Sequence, residues 1–132
     1  MAGIKIKANS LPADAADVFR SIDCDESAEA VKAGPGVLYG GIIISASDTI
    51  RFLKVYNREL ARVTVGTTTP KMTIPIPTTG TADQGAGFTL NLPPCGIGFD
   101  EAITVAVTTD LDEDDSPGAP DANDVIVQLW YK

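Results

Sequence analysis

The chain has 132 residues, 44% of them hydrophobic, and a net charge of −8. That is the size of one domain able to hold a real core, and the longest apolar run falls short of the roughly 20 residues that span a bilayer. Residues 1–71 carry nine basic and eight acidic side chains, whereas residues 72–132 carry ten acidic ones and a single basic residue, Lys132. An acidic half of this kind argues against a nucleic-acid partner and against an anionic membrane.

The N-terminus, MAGIKIKANSLPADAADVF, has no continuous apolar stretch of the signal-peptide kind, which predicts a product made in the cytoplasm. Residues 1–17 are expected to form an arm or an edge strand, and residues 18–132 a β-sandwich domain. Val18 to Ile22 is a first strand candidate, and Ala28 to Lys32 a second. Ala33-Gly34-Pro35-Gly36 is a turn, because proline fixes φ and glycine permits positive φ. Val37 to Ile44 and Thr49 to Tyr56 are rich in β-branched and aromatic residues and are separated by Ser45-Ala46-Ser47-Asp48. This reads as a strand–turn–strand unit, the central hairpin of the domain.

Arg58 to Arg62 is too short to stand as a helix, and Val63 to Val65 could extend a strand. Met72, Ile74 and Ile76 alternate with Thr73 and Pro75, which predicts an edge strand because proline cannot donate to a ladder. Phe88, Leu90 and Leu92 form another alternating run. Pro93 to Gly98 is a compact turn. Ala102 to Thr108 is a strand with Ile103, Val105 and Val107 on one face. Val125 to Tyr131 closes the chain, with Val125, Val127, Leu129 and Tyr131 on one face and Ile126, Gln128 and Trp130 on the other. Seven to nine short strands without an amphipathic helix predict an all-β antiparallel sandwich, for which jelly-roll connections are one arrangement.

Little in the chain carries chemistry. Without histidine, a Ser–His–Asp or Cys–His arrangement in its usual form is excluded, and no P-loop or dinucleotide fingerprint is present. Asp100 and Glu101, just before a strand, are the carboxylate pair that glycoside hydrolysis would draw on. Asp110, Asp112 and Asp114 have the 1, 3, 5 spacing of a calcium loop, with Asp121 at position twelve. Asp115 replaces the glycine required at position six and no helix flanks the loop, so a solvated loop is the favoured reading and calcium the weaker one. Cys24 and Cys95 read as two reduced, partly buried thiols, or else as a disulfide within or between copies. The expectation is a protein that is not an enzyme and takes no cofactor.

Three segments occur together: VKAGPGVLYGGIIISASDTIRFLKVYN, then VGTTTPKMTIPIP, then NDVIVQLWYK after the acidic loop. Their order resembles small virion structural proteins of tailed bacteriophages. The resemblance is carried by Val31, Lys32, Leu38, Tyr39, Gly40, Lys54, Tyr56, Asn57, Val65, Gly66, Thr67, Pro70, Ile74, Pro75, Gly96, Ile97, Phe99, Asp124, Val125 and Tyr131. It covers residues 18–131 and includes no catalytic group. It implies a capsid decoration (cement) protein on the capsid exterior of the virion, made in the host cytoplasm. The implied partners are the major capsid protein and two further copies in a homotrimer. A tail, neck or baseplate component is an alternative. A receptor- or carbohydrate-binding module is another, and it would need an aromatic platform drawn from Tyr39, Tyr56, Trp130 and Tyr131. Candidate interface residues are Lys54, Tyr56, Trp130 and Tyr131. Lys54 and Tyr56 share one face of their strand and are expected to touch another loop or subunit.

Overall fold

The computed structural model describes residues 15–111, 118–120 and 123–132. Among the described residues nine strands follow one another: β1 (Asp17–Ser21), β2 (Glu29–Lys32), β3 (Gly36–Ser45), β4 (Arg51–Tyr56), β5 (Met72–Ile76), β6 (Ala86–Asn91), β7 (Ile97–Phe99), β8 (Ile103–Thr108) and β9 (Val125–Tyr131). A single 3₁₀ turn, Leu60–Arg62, lies between β4 and β5. No α-helix occurs among the described residues. The strands form two packed antiparallel sheets, so the chain is a β-sandwich. The first sheet has the order β1-β9-β3-β6, with β7 pairing the start of β3, and the second has the order β2-β8-β4-β5. With the three-residue β7 set aside, successive strands alternate between the sheets except at β4 and β5, which pair within the second sheet, as in a jelly roll. Because Asp17 already pairs with Tyr131, the sandwich begins one residue earlier than the sequence pattern placed it. The rest of the expected arm, residues 1–14, lies outside the described residues.

The core lies between the sheets and is built from the period-2 alternation of the strands. Leu38 and Ile43 of β3 and Val125, Val127 and Leu129 of β9 meet Leu53 and Val55 of β4 and Ile103, Val105 and Val107 of β8. All ten are shielded from solvent. Prolines place β5 at an edge as expected: Pro75 sits opposite Phe52, and among the described residues no strand lies beyond it.

The expected central hairpin is not one. β3 pairs with β9, β6 and β7, while β4 pairs with β5 and β8 in the other sheet. Ser45 to Ile50 is therefore a corner through which the chain crosses between sheets. Its polar residues satisfy the backbone of the bend. Ser45 Oγ accepts from the Ser47 amide at 3.2 Å, and Ser47 Oγ accepts from the Thr49 amide at 3.1 Å. The corner is tied to the approach to β9, where the Ala46 amide donates to the Asp124 carbonyl at 2.7 Å. The Arg51 guanidinium also donates to Asp124 Oδ2 at 3.1 Å through Nη2 and at 3.3 Å through Nε. Both side chains are largely shielded, at 12% and 14% exposure, so the pair is weakly screened. Asp124→Ala is expected to cost about 1.5–3 kcal/mol in denaturant unfolding.

Candidate interaction surface

The two sheets differ on their outward faces. On β4 and β8 the outward residues Lys54, Tyr56, Thr104 and Thr108 are buried, Lys54 and Tyr56 with 0% exposure. The loop leaving β4 folds back over this face. The Thr104 hydroxyl donates to the Arg58 carbonyl at 2.7 Å, and Pro70 at the end of the loop is buried. The engagement expected beside Lys54 and Tyr56 thus comes at least in part from the chain's own loop. Both side chains are buried in the chain itself, in line with the loop alternative, and an outward strand position reaches a partner subunit only where no loop covers it.

The outward face of the first sheet stays partly exposed among the described residues. Register places its residues in rows: Val18, Trp130, Gly40 and Asn91 in one; Arg20, Gln128, Ile42 and Thr89 in the next; Ile126, Ile44 and Gly87 in the third. Val18 is 64% exposed and Ile42 38%, while Trp130, Ile126 and Ile44 are half-buried. Arg20 is the only charge among these positions, in a chain of net charge −8. Large apolar side chains at the centre with charge at one side is the composition of an interface core and rim.

Trp130 holds its place because of a glycine and a bulge. The register of β3 against β9 slips between Leu38 and Gly40, leaving Tyr39 as the extra residue. Gly40 adopts φ +147°, and a Cβ there would stand 3.1 Å from Trp130 Nε1 and 2.7 Å from the Leu90 carbonyl oxygen. The indole therefore covers a strip of bare backbone that any side chain would close. Tyr131, one residue on, is half-buried and packs against the core. The two aromatics divide as strand alternation predicts, and only Trp130 belongs to the open face. Sequence reasoning missed Val18, Ile42, Ile44 and Ile126, whose alternation was visible but whose alignment across β1, β9 and β3 was not.

The other candidate residues serve the fold. Asn57 Nδ2 donates to Asp100 Oδ1 at 2.6 Å, Asn57 Oδ1 accepts from the Glu101 amide at 3.0 Å, and Glu101 is bridged to Arg62. The carboxylate pair thus fastens the turn before β8. An open depression of about 530 Å³ is lined by Pro35, Gly36, Val37, Lys71, Gly98, Phe99 and Asp100. Its cation is engaged: Lys71 Nζ donates to the Gly98 carbonyl at 2.6 Å and lies 5.0 Å from the centre of the Phe99 ring. Of the acidic loop, Asp110 is exposed and accepts from the Thr108 hydroxyl through its carbonyl at 2.9 Å. Asp112, Asp114 and Asp121 lie outside the described residues. Among the described residues no group of acids and cysteines is arranged to hold a metal ion.

Cys24 and Cys95 are both free, the first buried and the second exposed. That corrects the expectation of two partly buried thiols. Burial, reinforced by Glu29, pushes the Cys24 thiol far up from its ordinary value of 9.0. A thiol-reactive reagent is expected to label Cys95 alone in the native protein and Cys24 only after unfolding. Because the folded value is raised, stability is complete below the ordinary thiol value and falls as pH climbs above about 9.

No protein-family model, curated protein or solved structure gives a match to this chain.

Proposed function

We propose that the chain is a structural protein of a tailed-bacteriophage virion, without enzymatic activity, that decorates the outside of the capsid and sets the outward face of its first sheet against the shell. The observation that carries this is the open face built on Trp130, Ile42, Ile44, Ile126 and Val18, with Arg20 as its only charge. The order of the three sequence segments supplies the virion context, since a jelly roll serves many functions and names none by itself. A rigid two-sheet body can bridge neighbouring capsomers without moving parts. The remaining surface is strongly acidic, which leaves the neutral face as the side suited to a partner surface.

The placement of the aromatics weighs against a carbohydrate-binding module. Tyr56 is interior and Tyr131 packs on the core, which leaves only Trp130 and the half-buried Tyr39 of the four aromatics a sugar platform would draw on. The reading is tested by mass spectrometry of purified virions and by adding the purified protein to expanded, undecorated shells. Saturable binding in a fixed ratio to the major capsid protein is expected. Absence from virions together with no binding to the shells overturns it.

A further inference from the structure

The edge strands are not equally protected, and β7, which continues the β6 side of β3, is kept to three residues. β1 carries Asp17 and Arg20. β2 carries Glu29 and Lys32, and its register against β8 shifts between Ala30 and Lys32. β5 contains Pro75. Charge, bulges and proline are the devices that keep an edge from pairing with another chain. β6, Ala86-Gly87-Phe88-Thr89-Leu90-Asn91, has none of them.

Its backbone orientation follows from two close approaches. The Leu90 carbonyl oxygen lies 2.7 Å from the Cβ position of Gly40, and the Ile43 carbonyl oxygen 3.3 Å from that of Gly87. Leu90 sits opposite Gly41 and Phe88 opposite Ile43. Residues 86, 88 and 90 therefore bond to β3, and the amides and carbonyls of Gly87, Thr89 and Asn91 point to the open edge. These three residues are exposed, whereas Phe88 and Leu90 are only half-buried against the core.

We infer that β6 is a self-association edge at which a second copy of this chain adds antiparallel about a twofold axis through Thr89. Identical antiparallel strands are complementary by symmetry. In this register Thr89 faces the partner's Thr89 and Gly87 faces the partner's Asn91, giving about six main-chain hydrogen bonds. The two threonine side chains meet on the outward face, a favourable cross-strand pair. Phe88 and the partner's Leu90 gain cover on the core side. Self-complementarity about Thr89 selects a second copy as the occupant. Each copy carries −8, and β6 contains no charged residue, so the two strands meet without directly opposing like charges. The pairing rests on this edge alone and does not depend on shell binding.

The test is sedimentation of the full chain over a wide concentration range, for the wild type and for Thr89→Pro. The Thr89 amide points away from β3, so proline removes an edge donor and leaves the internal ladder complete. Wild type is expected to form a dimer, and Thr89→Pro to weaken it about 100-fold, as two symmetry-related hydrogen bonds are lost at about tenfold each. Amide exchange of the wild type gives a second readout, in which protection of Gly87, Thr89 and Asn91 rises with protein concentration. A wild-type monomer at millimolar concentration, a trimer untouched by Thr89→Pro, or exchange at these amides independent of concentration overturns the inference.

Discussion

Gly41→Ala is expected to lower the unfolding free energy by about 3 kcal/mol or more, the upper part of the range for overpacked interiors, and the melting temperature by roughly 10 °C. A Cβ at this position would stand 2.2 Å from the Gln128 carbonyl oxygen and 2.8 Å from Leu129 Cδ2. The first neighbour is backbone of β9, which is itself held between β1 and β3, so it cannot yield without parting the sheet. Gly98→Ala is the control. It has nothing within 4 Å of its Cβ position, and it should stay within about 0.5 kcal/mol of the wild type. Unfolding of the two variants at the same denaturant concentration would show that β3 and β9 are not as closely apposed as described.

The second large effect concerns binding. Ile42→Asp is expected to weaken attachment to expanded shells by about 100-fold while leaving the unfolding midpoint nearly unchanged. Ile42 is 38% exposed, so little core packing is lost in the free protein. In the complex the same position lies at the centre of the neutral face, between Gln128 and Thr89. A carboxylate there would be buried without a partner, a cost of about 3 kcal/mol or more. Leu60→Asp provides the comparison: Leu60 is 45% exposed, in the 3₁₀ turn after β4 of the other sheet. It should bind as the wild type does. Equal weakening by both variants would point to net charge, not to this face.

Much of the architecture was legible in the residues. Alternation in Phe88-Thr89-Leu90 and in Val125 to Tyr131 marks half-buried strands, and Pro75 marks an edge. The crossing at Ser45 to Ile50 was not legible, because a polar break between two β-rich runs looks the same in a hairpin and in a corner between sheets. What separates them is the partner of each strand, and those pairings are long-range: Leu53 with Val107, Ile43 with Val127. The cover over Lys54 and Tyr56 was hidden for a related reason. Alternation assigns a residue to a face but does not say whether a loop lies over it. One signal was present in β8, where small Thr104, Ala106 and Thr108 fill the outward positions and all six residues are buried. Similarly, the glycine pair at 40 and 41 inside a strand already signalled a close approach, although not that Trp130 makes it.

The candidate face was legible in pieces only. Trp130 stood out as the aromatic on the outward side of the last strand. Val18, Ile42, Ile44 and Ile126 join it only once β1, β9 and β3 lie side by side, since no two of these strands adjoin in sequence.

A density map of the decorated shell, detailed enough to orient the sandwich, tests the proposal most directly. The proposal predicts the first sheet turned inward, with Trp130 and Ile42 against the major capsid protein and the loop after β4 toward solvent. Density for the chain with that face turned to solvent would contradict it.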